Sequence, residues 1–516
     1  MNSEQAFTEL KQAVDGWVST LIPEDYILHI KKPGRQDTKV IRESVTGYQT
    51  LQPYEVLVLD TPILQRLRLI HQTALAYLVY PTANHTRFDH SLGCAKIAQL
   101  MGEKLIPGQT SRIAELRLAG LLHDVGHAFF SHLSECIIQS HFRETYKALK
   151  NASDFQELDL SLGEMMSYLI VKSPNFNRFL ENVIHSYNNH IDINNIAQLI
   201  IHHPTDDLAF MGDVISGPMD ADKLDYLVRD CYFSGIRADL DIERVIVSIA
   251  CLDEKRFPPS DSRWIRRSLI MHNGGISVLE QVTFNRMLLY PSVYHHHKIR
   301  AIECMVKSIF EIIWEHQGDI GDSRLKFENI IDFYKLTDSQ FIDAVRMESN
   351  LRTINDIGNK LVNRDLFKRC LVLFHRYIQG KQSKKYKWKE LKKLSYEETP
   401  EQMKEIRQRI YDELPSKIQS MISLQDVWVD IPKPPTVPKD ADLEFIDIGT
   451  DKLMPLNEFF PHREWTMAYD INKLKGHVFS ISDNKVREAV NKAAIRVFEN
   501  EKKIKFDKQA TRECKI

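Results

Sequence analysis

Between Val40 and about Glu315 the chain is dominated by long segments whose apolar residues recur at helical spacing. They include Leu92 to Leu105, Ile113 to Leu122, Ile196 to His202 and Ile299 to Trp314. Amphipathic helices must bury their apolar stripes against one another, so this pattern constrains the chain to a mostly α-helical core. One of these helices ends in an unusual way. The apolar run Leu118-Ala119-Gly120-Leu121-Leu122 leads straight into His123-Asp124 and then Val125-Gly126-His127. A histidine and an aspartate at the end of an apolar helix are costly to bury unless they are paired or hold a metal ion.

Two further residues extend the pattern. His90 closes Asn84-His85-Thr86-Arg87-Phe88-Asp89-His90, just ahead of the apolar positions Leu92, Ala95, Ile97, Ala98 and Met101. Asp222 lies in Asp220-Ala221-Asp222-Lys223-Leu224-Asp225-Tyr226. Neighbouring residues on a helix are about 100° apart around its axis, so His123 and Asp124 meet one ion only if the last turn points at it. His90 and Asp222 then have to arrive from other helices. Two imidazoles and two carboxylates around one divalent cation leave positions for water and substrate oxygens, which is how a metal-dependent hydrolase is built. The donor types suit Mn²⁺, Fe²⁺, Zn²⁺ or Mg²⁺ and argue against a structural cysteine–zinc site. A lone His-Asp pair is more often an ordinary core feature. Here Gly126, His127 and His132 follow at once, and the combination favours the metal.

Several ordered motifs resemble the HD-domain deoxynucleoside triphosphate triphosphohydrolases, the family of bacterial dGTPases and a vertebrate relative with an added SAM domain. They are Asp60-Thr61-Pro62 with Gln65-Arg66-Leu67-Arg68, then Arg87 to Gly93, His123 to His127, and Phe130-Ser131-His132. Further on come Asp220 to Lys223 with Asp225, Tyr226, Arg229 and Asp230, and Tyr294 to His297 near Arg300. The resemblance spans about Val40 to Phe310 and implies a helical HD core, without a SAM domain, carrying a smaller C-terminal α+β region.

The resemblance also implies roles. His90, His123, Asp124 and Asp222 would be metal ligands, and His127 and His132 would line the α-phosphate position. His132 would protonate the departing ester oxygen, with Glu135 holding its imidazole charged. A histidine titrating near neutral pH suits that task. Arg87 would meet phosphate, since guanidinium pairs bidentately with oxyanions. Gln72, Tyr226 and Asp230 would hold the sugar and its 3′-hydroxyl, Arg286 would touch phosphate or base, and Tyr294 would stack beneath the deoxyribose and exclude a 2′-hydroxyl. The substrate would be a deoxynucleoside triphosphate and the assembly a homo-oligomer.

Two departures stand out. Where the family has a histidine in the helix after the HD motif, this chain reads Ser161-Leu162-Gly163-Glu164, with Gly163 in its place. That keeps open an HD phosphohydrolase or phosphodiesterase of another substrate, and a nucleotide-binding regulator with little turnover. Asp60, Gln65 and Arg68 match positions that bind a regulatory nucleotide, but the hairpin Ile41 to Tyr48 lacks the family's Asn and His. A buried Asp60–Arg68 ion pair is the alternative.

Three regions are expected: an arm over 1–39 containing one amphipathic helix (Phe7, Leu10, Ala13, Val14, Trp17, Val18), the HD core over 40–315, and a helical and α+β region over 316–516. Within the core, Val40 to Leu59 alternates like a short hairpin. Ile431 to Pro438 is an extended proline connector. Strands are expected at Leu443 to Ile448 and Val478 to Ile481, before a last helix from Lys485 to Glu499. A net charge of −2 gives no general case for nucleic acid or anionic membrane. The lysine run from Lys381 to Lys393, with Tyr386 and Trp388, fits either single-stranded nucleic acid or, more commonly, a solvated basic helix. Seven scattered cysteines, no basic-then-apolar start and no apolar run of the roughly 20 residues that span a bilayer point to a cytoplasmic protein.

Overall fold

The structure, a computed structural model, describes residues 3–28, 38–156, 158–188, 190–203, 210–217, 219–251, 269–380, 383–396, 400–432, 444–447 and 452–515. It is mostly α-helical, with small sheets, and divides into two compact units. The first comprises Met1–Arg286, Phe327–Ser339 and Pro438–His462; the second comprises Met287–Lys326, Gln340–Val437 and Arg463–Ile516.

In the first unit, the helix Ser3–Leu21 buries Ala6, Leu10, Val14, Trp17 and Val18 and packs against the helix Arg143–Lys150. Lys39–Glu43 and Gly47–Leu51 pair as an antiparallel hairpin. The strand-like alternation expected to continue to Leu59 stops there. Pro53 opens a helix, Pro53–Leu59, whose first turn is capped by the Glu55 carboxylate accepting from Gln52 N at 2.7 Å. Proline at the first helical position and a carboxylate at the third override β-alternation.

The centre of this unit is a set of packed helices, Arg87–Leu105, Thr110–Leu122, Leu162–Lys172 and Ala221–Ser234. Arg87–Leu105 starts from a Thr86 cap, with the Asp89 carboxylate accepting from Thr86 N at 2.9 Å. Gly93 lets this helix approach Ala221–Ser234, because a Cβ there would stand 1.9 Å from Asp225 Oδ1 and 2.5 Å from Arg229 Nη2. That close approach carries His90 to Asp222. A small sheet in the same unit orders Ile249–Cys251, Leu269–His272, Glu444–Asp447 and Lys452–Pro455, so the strand expected near Leu443 to Ile448 is present.

In the second unit, Gly476–Ser480 is the middle strand of a three-stranded sheet, antiparallel to Lys368–Leu373 and to Val427–Asp430. The helix Asn484–Glu501 packs on it, and Leu371, Val429, Val478, Val490 and Phe498 share one core. This is the smaller α+β region. In the helix Lys384–Tyr396, Trp388 is buried with Leu391 and Leu394, so its ring belongs to packing and is not an open platform for a base. Residues 381, 382 and 433–438, which carry the start of the lysine run and most of the proline connector, lie outside the described residues. No helix among the described residues is long and apolar enough to cross a membrane.

Candidate metal centre

The helix Thr110–Leu122 ends with His123 at its cap, and the chain then turns through residues 124–131 before the helix His132–His141. This turn is held by side chains from elsewhere. Arg66 Nη2 donates to Val125 O and His127 O, both at 2.8 Å, and Tyr334 Oη donates to Gly126 O at 2.9 Å. Ser167 Oγ accepts from Gly126 N at 2.8 Å and donates to His123 O at 2.5 Å. Asp338 Oδ1 accepts from Phe130 N at 2.8 Å, while its Oδ2 takes His71 N at 2.9 Å and His71 Nδ1 at 2.7 Å. Phe130 and Ser131 both have positive φ, 54° and 53°. Two successive non-glycine residues in the left-handed region cost free energy and persist only where the surroundings hold them. Here Asp338 grips the first, and Ser131 Oγ, which accepts from Arg87 Nε at 2.8 Å and donates to His71 O at 3.0 Å, grips the second.

His90 is fully buried, with Nε2 2.9 Å from Asp222 Oδ1 and 3.8 Å from Asp124 Oδ2. Its Nδ1 donates to Asp225 Oδ2 at 2.7 Å, which leaves the Nε2 edge of the ring facing Asp222. Asp225 is in turn held by Arg229 Nε at 2.7 Å, and Arg229 Nη1 reaches Glu43 in the hairpin at 2.5 Å. His123 Nδ1 donates to Gly120 O at 2.8 Å, so Nε2 is its free acceptor, 3.4 Å from Asp124 Oδ1 and 3.9 Å from Asp222 Oδ1. That Nε2 is buried and has no hydrogen-bond partner. Burial works against charge on His90, but Cys94, Asp222 and Asp225 outweigh it and hold its pKa well above the ordinary value. Burial also works against charge on Asp124, but Arg87, His123 and His127 hold its carboxyl well below the carboxylate range.

A buried, unpartnered imidazole nitrogen facing two carboxylates and a second imidazole fits a divalent cation, since leaving it unsatisfied is costly. The ligand atoms of His90, Cys94, His123 and Asp222 all lie within 4.8 Å of one another. Cys94, with Sγ 3.5 Å from each nitrogen of the His90 ring, is a neighbour that the sequence reading did not single out. Its place four residues after His90 on one helix was the available signal.

Asp124 stands between two groups. Its Oδ2 takes Arg87 Nη1 at 2.6 Å, and its Oδ1 lies 3.1 Å from His127 Nε2. His127 Nδ1 lies 2.7 Å from Glu135 Oε1, and His132 Nδ1 lies 3.4 Å from Glu135 Oε2. Burial and Arg87 press the His127 pKa down, and the Asp124 and Glu135 carboxylates raise it above its ordinary value. Glu135 is held well below its ordinary value by His132 and His127 in spite of burial. The side chain of His132 is 72% exposed, so it reaches solvent from this group. Arg87 is buried with Nη2 unpartnered, beside the same carboxylate.

Asp230 is buried and accepts from His85 Nε2 at 2.8 Å, with Tyr226 one turn earlier on the helix Ala221–Ser234. Gln72 N donates to His85 O at 3.1 Å, and Gln72 Oε1 is buried without a hydrogen-bond partner. Thus Gln72, His85 and Asp230 form one cluster, with His85 missed by the sequence reading. Arg286 lies on the helix Ile276–Leu289, and Tyr294 closes a π-helical turn, Tyr290–Tyr294, in the second unit. The expected alternative of a buried Asp60–Arg68 pair is corrected. Both residues are exposed, and Arg68 donates to Gln65 Oε1 at 2.9 Å while its guanidinium lies 3.6 Å over the Phe88 ring.

Residues 87–251 match the profile described as HD domain, and residues 240–509 match the one described as HD associated region. An uncharacterized protein of Methanocaldococcus jannaschii is 28% identical over 310 residues, 60% of this chain and 57% of its own length. The deoxynucleoside triphosphate triphosphohydrolase SAMHD1 of Gallus gallus is 26% identical over 375 residues, covering 64% of this chain and 55% of the relative. The Homo sapiens protein of that name is 27% identical over 353 residues, covering 64% and 54%. The chain therefore spans little more than half the length of these curated relatives. A crystal structure of a hypothetical protein from Aquifex aeolicus superposes with a TM-score of 0.60 at 20% identity, over 88% of this chain and 99% of that one, a likeness of fold.

Proposed function

Because the chain belongs to the HD-domain family and carries its associated region, we propose that it is a divalent-metal-dependent phosphohydrolase that converts deoxynucleoside triphosphates to deoxynucleoside and triphosphate. The observation that carries this reading is the unpartnered His123 Nε2, buried among His90, Asp124 and Asp222. These four residues would hold the ion. When bound, a divalent cation supplies Lewis acidity toward a phosphoryl oxygen and toward water.

The remaining steps fall to side chains. Arg87 Nη2 faces substrate phosphate while Nη1 stays on Asp124. Water adds at the α-phosphorus and the bond to the 5′ oxygen breaks. His132, exposed and backed by Glu135, gives that oxygen its proton, and His127 lines the phosphate position. Gln72 and Asp230 read the 3′-hydroxyl beside Tyr226. By resemblance, Arg286 meets phosphate or base and Tyr294 excludes a 2′-hydroxyl. A regulatory nucleotide at Asp60, Gln65 and Arg68, homo-oligomeric assembly and a cytoplasmic location are parts of the same reading, resting on the resemblance and on the scattered thiols.

Purified protein incubated with Mn²⁺ or Mg²⁺ and each deoxynucleoside triphosphate, followed by product chromatography, tests it. The expected products are deoxynucleoside and triphosphate. Release of monophosphate and pyrophosphate would overturn the triphosphohydrolase assignment. Gly163 favours a second reading, an HD phosphohydrolase of another nucleotide, which a screen including cyclic dinucleotides separates.

A further inference from the structure

A chain of ionised groups runs from the hairpin to the metal centre. Glu43, the last residue of the strand Lys39–Glu43, is buried, and Arg229 and Asp225 behind it are buried as well. We propose that Glu43 is a positioning residue for the metal ligand His90, acting through Arg229 and Asp225, so that the hairpin turn sets how tightly the centre holds its ion. This assignment rests on the metal-centre reading above and leaves its four ligands, His90, His123, Asp124 and Asp222, as they stand.

Three observations carry it. First, the contacts are continuous. His90 Nδ1 donates to Asp225 Oδ2 at 2.7 Å. Arg229 grips both oxygens of Asp225, through Nε at 2.7 Å and Nη2 at 2.8 Å, and its Nη1 donates to Glu43 Oε1 at 2.5 Å. Second, the far end is fixed. Glu43 Oε2 accepts from Val45 N at 2.9 Å, Thr46 N at 2.8 Å and Thr46 Oγ1 at 3.0 Å, so the turn anchors the carboxylate as firmly as the guanidinium does. Burial works against charge on Glu43, and Arg229 with the two turn amides outweighs it and holds its pKa below the ordinary value. Third, the charges do not cancel. One guanidinium stands between two carboxylates, which leaves one negative charge for the imidazole and the ion beyond it.

That negative charge acts on His90. A carboxylate on the far nitrogen of a metal-bound histidine fixes its tautomer and ring orientation and makes the coordinating nitrogen more basic. Without Glu43, the guanidinium would lean on Asp225, and that carboxylate would give less to the Nδ1–H of His90. Nη1 of Arg229 would also lose this acceptor in a buried site, which is costly. Both changes loosen the ring and weaken Nε2 as a donor. The hairpin touches the same helix at a second point, where Gln49 Nε2 donates to Leu92 O at 3.4 Å. That bond lies outside the charged chain and supplies a control.

Zinc affinity of the full-length protein, measured by competition with a chromophoric chelator at fixed pH, tests this apart from activity. Glu43→Gln keeps the shape and removes the charge. It should bind zinc about 10-fold more weakly, the low end of what partners of a ligating histidine contribute, because Glu43 acts through two others. Gln49→Ala should lower the denaturant midpoint and leave zinc affinity unchanged. Equal affinity in Glu43→Gln and the unaltered protein overturns the assignment and leaves the metal centre standing. An equal loss in both variants overturns it too, since Glu43 would then only support the hairpin. Failure of the unaltered protein to bind zinc, iron(II) or manganese at all overturns the metal centre itself. Should Glu43→Gln fail to fold, hydrogen exchange on the unaltered protein decides. Coupling is reciprocal, so zinc should slow exchange at the Val45 and Thr46 amides more than along Gly47–Leu51, and no such difference overturns the assignment.

Discussion

Gly163 and His127 compete for one space: a Cβ on Gly163 would stand 2.6 Å from Cε1 of His127, 2.7 Å from its Nε2 and 3.0 Å from Glu135 Oε1. Glycine at this position therefore lets the helix Leu162–Lys172 lie directly against the His127–Glu135 pair. A side chain at this position requires the His127 ring to shift.

Gly163→Ala is expected to displace His127, lowering activity 10-fold or more while bound metal stays at the level of the unaltered protein. Overpacking typically costs about 1–3 kcal/mol, so the denaturant midpoint should fall as well. Steady-state kinetics with elemental analysis check it. Unchanged kinetics would show that His127 has room to move or no part in the reaction.

Asp124→Ala should lose both metal and stability. Arg87 is 2% exposed and would keep a buried charge without its partner. Breaking such a pair from one side costs roughly 3–5 kcal/mol. Urea unfolding should find the double variant Arg87→Met, Asp124→Ala more stable than Asp124→Ala alone. Full metal occupancy in Asp124→Ala would remove Asp124 from the ligand set.

Asp338→Ala removes the acceptor for Phe130 N and for both donors of His71. An unsatisfied buried donor costs about 1–3 kcal/mol, and Asp338 is the acceptor that holds the Phe130 amide in the left-handed turn. Hydrogen exchange should show the Phe130 amide losing protection, with activity falling because His132 follows that turn. Unchanged exchange at Phe130 would refute the clamp.

In the second unit, Glu348 is buried and accepts from Gly321 N at 3.0 Å, Asp322 N at 2.9 Å, Asn350 N at 2.7 Å and Leu351 N at 3.3 Å. Burial works against its charge, and these backbone donors outweigh burial and lower its pKa below 4.5. A carboxylate with a depressed folded-state pKa stabilises the fold above its unfolded pKa, and that contribution is lost as pH falls through the folded value. Glu348→Gln should cost about 1–3 kcal/mol at neutral pH and flatten the acid limb of the stability profile. Denaturant melts between neutral and acid pH measure it, and a variant whose acid limb is unchanged would exclude Glu348 as a source of that limb.

If Tyr294 lies beneath a deoxyribose, dGTP should be hydrolysed far faster than GTP, because a 2′-hydroxyl would clash and misplace the phosphates. Tyr294→Ala should relax this preference without altering metal content. Similar rates on GTP and dGTP by the unaltered protein would remove both the gate and the deoxynucleotide assignment.

Helical periodicity and the apolar helix that ends in His123-Asp124 were legible in the residues, because each depends on neighbours within a turn or two. The hairpin was legible as far as Leu51 and misread beyond it, where Pro53 and Glu55 overrode the alternation. Tertiary structure alone brought Arg66, Ser167, Tyr334 and Asp338 onto the turn at residues 124–131. It alone set Gly163 against His127 and placed Cys94 beside the His90 ring. Asp338 meets Phe130 across 208 positions of sequence. A contact over such a distance leaves no periodic trace in the chain, since only the packing of separate helices decides which backbone groups a remote side chain must satisfy.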